Sequence, residues 1–350
     1  MKRLRAALAL CAAAGVARAE EPACPDGTTW GQAPTQTVPG ADRASFCRKP
    51  GGAKHGPWIA WDRAGGRLAE GTCKDGVEDG HWRLAGVGEG DWKDGRRDGA
   101  WTHYHAGTAQ PSAAGAYRRG LKEGPWRSWH PNGQLAAEGA YARDGRVGRW
   151  VERYASGAKL SEADYRRGQP DGPWTKWWAT GEVAEEGRYK GGARSGRWRT
   201  FGPGGIRHEE GEYQSGRRHG AWLLFSDGGV RVSECAYRRG ERDGRCRRYY
   251  DTGQLIEEAG YRRGRKHGLD TIYYPSGQRE LEGRYLDGLR VGVFQRWDAG
   301  GVLAATGAYD KGILVRGDEV TSVFEEPPAA PEPEAGRTVE IYPPTPCSEP

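Results

Sequence analysis

Beyond residue 19 the chain has no apolar run long enough to cross a bilayer, and the run before it, Leu4 to Val16, is too short for a stable anchor. It has no CxxC motif and no Cys/His pair at zinc spacing. It also lacks a phosphate loop, a dinucleotide fingerprint and a nucleophile elbow. Carboxylates do occur in pairs, at Glu185-Glu186, Glu209-Glu210 and Glu257-Glu258. Adjacent residues on a strand point to opposite faces, so these pairs cannot converge on one bond as glycosidase carboxylates must. His103 and His105 share a face but have no evident third metal ligand. His55, His219 and His267 each precede a turn glycine. Helix is excluded as well, because 57 glycines break any helical period. The expectation is therefore no catalytic, cofactor or metal site.

What is present is a 24-residue period. Trp126, Trp150, Trp174, Trp198 and Trp222 follow one another at that spacing, and the next three registers hold Cys246, Asp270 and Phe294. Trp58, Trp82 and Trp101 continue the series upstream with looser spacing. A fixed period of this length means a stack of small units rather than one globular core. Each unit reads G-x-W-x-x-aromatic, then Gly, then an aliphatic residue, then E-G-x-Y, then Gly, as from Gly172 to Ser195. Short aromatic runs between glycine turns predict two strands per unit. The fold class expected is all-β, an elongated repetitive antiparallel sheet of stacked hairpins. About eleven units at ~4.8 Å per strand give a rod roughly 100 Å long.

One hairpin buries too little to be stable, so the aromatics are the expected core. That core comprises Trp126, Trp150, Trp174, Trp198 and Trp222 with Tyr141, Tyr165, Tyr189, Tyr213, Tyr237, Tyr261 and Tyr285. The small residue two before each Tyr, such as Gly187, is expected to make room for a Trp ring from a neighbouring strand.

The pattern G-x-W-x-x-Y, Gly, E-G-x-Y-x-x-G resembles the MORN repeat, and more closely its bacterial variant in YwqK-like proteins. The resemblance covers about residues 53–316 and rests on the number of copies. It implies an elongated sheet of consecutive hairpins that acts as a scaffold or interaction module. Lipid binding is proposed for eukaryotic relatives. The antitoxin label often given to the bacterial variant suits an exported chain poorly.

The ends differ from the array. Lys2, Arg3 and Arg5 precede the apolar run, and Ala17-Arg18-Ala19 is a small-x-small site, so residues 1–19 read as a signal peptide cleaved after Ala19. The chain is then periplasmic or secreted. Leu10 before Cys11 argues against a lipoprotein. Residues 20–52 read as a cap stapled by Cys24–Cys47, residues 53–316 as the repeats, and residues 317–350 as an acidic, proline-rich disordered tail. Thr338 to Tyr342 is the tail's only strand-like stretch. Cys235 and Cys246 fall on neighbouring strands, where a second bond is feasible. Cys73 occupies a Tyr slot and reads as simply buried, and no partner is assigned to it or to Cys347.

Two charged ladders follow the period. Glu70, Glu138, Glu162, Glu186, Glu210, Glu234, Glu258 and Glu282 share one slot. The turns carry Arg118, Arg119, Arg166, Arg167, Arg217, Arg218, Arg238, Arg239, Arg262 and Arg263, a candidate binding rim. The bland reading of both ladders is solubility and edge protection. The sharper one is a basic line for an anionic membrane surface or polyanion. An extended surface without chemistry points first to a protein-interaction scaffold. Sequence-specific nucleic-acid binding is not expected, since no element could read a groove.

Overall fold

The computed structural model describes residues 23–35 and 38–321. The expected signal segment, the tail from residue 322, the Thr338–Tyr342 stretch and Cys347 lie outside them. Among the described residues there is no α-helix, only a three-residue 3-10 turn at Pro203–Gly205. They fall into two compact units, one running up to Leu84 with Trp92–Gly95, the other comprising Ala85–Asp91 and the chain from Arg96 onward.

The first unit is an antiparallel meander. Thr29–Pro34 pairs with Arg43–Arg48, which pairs with Lys54–Trp61, which pairs with Arg67–Lys74. Residues read as a cap thus join the first repeat directly, edge to edge. Phe46, Trp58 and Trp82 fill its core with Val38 and Cys73, and the Trp58 and Trp82 rings lie 5.4 Å apart. Cys24 and Cys47 are bonded. Cys73 is 1% exposed and is itself disulfide-bonded, not simply buried.

The second unit is a longer meander, from Arg96–Tyr104 to Ile313–Gly317, in which each strand pairs antiparallel with the next. Gln169–Trp177, Val183–Lys190 and Ala193–Phe201 show how the sequence dictates it. Gly172 has φ 144°, in the region that favours glycine. A register shift beside it, between Ala163 and Tyr165 on the preceding strand, brings Trp174 opposite Ala163 there and opposite Gly187 on the following strand.

Alternation then sorts the two faces. Tryptophans, small residues and tyrosines share one. On it the rings meet edge to face in sequence: Trp174–Tyr189 at 6.0 Å, Tyr189–Trp198 at 5.1 Å, Trp198–Tyr213 at 5.9 Å and Tyr213–Trp222 at 5.0 Å. Each Trp leans over the preceding strand. A Cβ on Gly187 would lie 2.3 Å from the Trp198 ring, and one on Gly139 2.2 Å from Trp150. The indole N–H groups of Trp126, Trp150, Trp198 and Trp222 donate to carbonyls ten residues earlier, at 3.0–3.1 Å. Trp126, Trp150, Trp198 and Trp222 are buried, whereas Trp174, which faces Ala163, is half-buried.

The register changes character at Cys246 and Asp270. Cys246 lies opposite Cys235 and is bonded to it. Asp270 is 1% exposed, and its carboxylate accepts from Lys266 Nζ at 3.0 Å. Lys266 also reaches Glu257 at 2.7 Å, and Arg248 reaches Glu257 at 2.7 Å. An ionic cluster therefore stands where a ring would. Phe294 restores the stack, between Tyr285 and Tyr309.

Candidate interaction surface

The turns decide where the arginines go. Arg119-Gly120, Arg167-Gly168, Arg239-Gly240 and Arg263-Gly264 each have two residues at positive φ, the signature of a two-residue type I′ hairpin. In a meander alternate turns fall on one margin, so these four lie along one edge of the second unit. Arg118, Arg166, Arg217, Arg238 and Arg262 are exposed beside them. Carboxylates are interleaved. Arg166 pairs with Asp171, and Arg262 with Asp287 at 2.9 Å. Hydrogen bonding to Arg262 holds Asp287 below its usual range, with burial opposing it. Other acids cap the turn backbone: Asp98 accepts from the Arg119 N–H at 3.1 Å, and Glu123 from that of Arg143 at 3.0 Å. The signal was in the sequence, an acid directly before the opening glycine at Asp98, Glu123, Asp171 and Asp243.

Arg218 does not join the rim. Its guanidinium lies 4.4 Å over Trp222 and 5.5 Å over Tyr237, and it donates to Glu209 at 2.5 Å. The same slot recurs with a cation on the aromatic face: Lys122 and Arg146 over Trp126 and Trp150, Arg194 over Trp198, Arg290 over Phe294. Pro170 is the exception. Sequence reading missed this row, although its residues keep the 24-residue spacing. Burial alone would lower the Arg146 and Arg194 values, but hydrogen bonds and charges from Glu152, Glu185 and the tyrosines outweigh it and hold them raised. Burial pushes the Glu185 and Glu209 carboxyls up, against the opposing pull of Arg194 and Arg218.

The Glu ladder occupies the other face and is not a bare acidic row. Glu162 pairs with Arg149 at 2.5 Å and Lys159 at 3.2 Å. Glu186 pairs with Arg199 at 3.1 Å, and Glu258 with Arg247 at 2.7 Å. Glu210 pairs with Arg197 and Arg207. Cross-strand register places Arg199 opposite Glu186 on the following strand, whereas Lys159 and Arg207 lie three residues before Glu162 and Glu210 on the same strand. In the adjacent pairs the carboxylates separate, Glu185 to Arg194 and Glu186 to Arg199.

On this charged face the second unit has an open groove of about 830 Å³. Ala100, Ala114, Ala116, Pro125 and Val151 line it together with Trp129, Arg127, Glu138 and Arg149. His103 is occupied elsewhere: its Nε2 lies 3.1 Å from the Tyr117 hydroxyl and its ring stacks on Trp126. Among the described residues no three His, Cys, Asp or Glu gather as a metal site would require.

Residues 122–142, 170–190 and 242–262 match the MORN repeat variant family. The three matches start two and three periods apart, in the register set by the tryptophans. These are MORN-variant repeats. The match is to the repeat variant as such and does not carry the YwqK-like label. MORN repeats are generally associated with protein or membrane binding. No match was found among curated proteins. Among solved structures, a chain in the crystal structure of TcdB2-TccC3-Cdc42 is 9% identical, with a TM-score of 0.15. The match covers 79% of the present chain but only 17% of that one, and likeness at this level carries no argument.

Proposed function

We propose that the protein is an exported, non-catalytic scaffold whose MORN-variant repeats hold a protein partner against the charged face of the second unit. The groove, with Ala100, Ala114, Ala116, Pro125 and Val151 in its lining, carries this reading. Small apolar residues offer a partner backbone close approach, and Arg127, Glu138 and Arg149 in the same lining offer polar contacts to fix its register. Oxidised cysteines in both units support export. Affinity capture from the cell envelope is the test. Wild type should recover a protein partner, and Ala114→Arg, which fills the groove, should lose it while keeping its far-UV circular dichroism. Recovery of lipid alone, or equal capture by both chains, would refute the proposal.

A second reading, binding of an anionic surface through the rim, has its own observation. Arg119, Arg167, Arg239 and Arg263 hold left-handed backbone at φ 49–54°, where the equivalent Gly191 costs less. Strain kept at exposed arginines favours a use for them.

A further inference from the structure

The cation row on the aromatic face of the second unit has a gap. Lys122, Arg146, Arg194, Arg218, Arg242, Lys266 and Arg290 keep the repeat spacing, and Pro170 stands between Arg146 and Arg194. Arg194 shows what a member of the row does. It lies 4.5 Å over the Trp198 ring and 5.3 Å over Tyr213, donates to the Tyr213 hydroxyl at 3.1 Å, and interacts with the preceding Tyr189. Arg146 holds the same place over Trp150 and Tyr165, and Arg290 over Phe294 and Tyr309. A guanidinium thus sits over one large ring and between two successive tyrosines.

At Pro170 the corresponding ring is Trp174, and the tyrosines are Tyr165 and Tyr189. Among the described residues no cation lies over the Trp174 or the Tyr189 ring. The surroundings differ in step. Ala163 faces Trp174 where glycine faces Trp150 and Trp198, and its Cβ denies the ring the position those two take. Trp174 instead lies tilted against Trp198, with centroids 5.4 Å apart. The edge-to-face chain therefore runs Trp126–Tyr141–Trp150, skips Tyr165 and resumes at Trp174–Tyr189. The Trp174 indole N–H has no acceptor among the described residues, unlike those of Trp150 and Trp198. Arg194 and Arg218 donate to Glu185 and Glu209, nine residues before them. The residue in that position before Pro170 is Ser161, whose hydroxyl donates to Glu152 at 2.9 Å. Lys176, opposite Ser161, is exposed.

We propose that this slot binds an arginine side chain of a partner protein, which takes the place of the missing member of the row. Trp174 offers its ring face to the guanidinium, the Tyr165 and Tyr189 hydroxyls accept from its N–H groups, and Ser161 links it to the Glu152 carboxylate. A backbone carbonyl of the partner accepts from the Trp174 indole N–H. Arginine is the side chain the slot fits, because the neighbouring units hold their own by the same contacts. The slot lies on the aromatic face, apart from the groove, so it stands whether or not the groove binds a partner.

The test is a titration of isotope-labelled full-length protein with the capped peptide acetyl-Gly-Arg-Gly-amide. The readout is the Trp174 indole N–H resonance, which Trp174→Phe identifies by its loss. The same peptide with citrulline in place of arginine keeps the shape and removes the charge. The expected result is a saturable shift with the arginine peptide and binding weaker by about tenfold or more with citrulline. In Pro170→Arg, which restores the chain's own cation, the arginine peptide should no longer shift the resonance. No shift in wild type, equal binding of the two peptides, or an undiminished shift in Pro170→Arg overturns the site.

Discussion

At the scale of single residues, the repeat is governed by where a Cβ fits. Gly139 faces the Trp150 ring at a distance no side chain tolerates. Gly139→Ala should therefore cost about 1–3 kcal/mol in chemical denaturation, and an unchanged midpoint would show that the ring yields freely. Trp174 marks the alternative, for Ala163 already fills its slot and that ring is less buried. Asp270 makes a different prediction. Burial raises its carboxyl from 3.8 to about 6, with Glu257 adding to the rise and Lys266 opposing it. Burial also pushes Glu257 up, but Lys266 and Arg248 prevail and leave it lowered. A carboxyl whose folded value is raised binds its proton more readily folded than unfolded. Its contribution is thus most favourable below about 3.8 and is lost as pH rises through about 6. Asp270→Asn should remove that pH dependence, on the order of 2 kcal/mol between the two limits, in urea melts taken at pH 4 and pH 7.

At the scale of the strand, neighbouring arginines separate into two jobs. Arg217 opens Arg217–Phe225 exposed on the margin, while Arg218 points to the rings and Glu209. Arg218→Ala removes a ring contact and leaves a largely buried carboxylate without its cation, so a loss of about 1–3 kcal/mol is expected. Arg217→Ala should stay within about 0.5 kcal/mol of wild type. Equal effects from the two in thermal melts would contradict the assignment. The Arg-Arg dipeptide in sequence does not distinguish them. Strand alternation does, once the register of the hairpin is known, and that register depends on the two-residue turn at Ser215-Gly216.

At the scale of the whole molecule, charge is segregated between margin and faces. The Glu ladder is matched by cations on its own and on neighbouring strands, and the turn arginines, with acids such as Asp171 and Asp287 between them, form the exposed basic line. Binding to anionic vesicles through them should weaken steeply between about 50 and 200 mM salt, as counterion release requires. Glu substitutions at Arg118, Arg119, Arg238 and Arg239 should abolish co-sedimentation while leaving the melting temperature within a few degrees. Binding indifferent to salt or to these changes would remove the rim from consideration.

The sequence alone determined the period, the hairpin unit and the aromatic core, because these follow from local rules: glycine at turns, alternation along strands and burial of large rings. Two cysteines one hairpin apart, Cys235 and Cys246, were legible for the same reason. Only the tertiary structure decided which arginine of a pair faces the rings, that Asp270 joins a buried ionic cluster, that ladder members such as Glu186 and Glu258 meet cations across strands, and that Cys73 is bonded. The first three depend on partners brought together by pairing between strands, and a single strand's periodicity holds no record of what lies beside it.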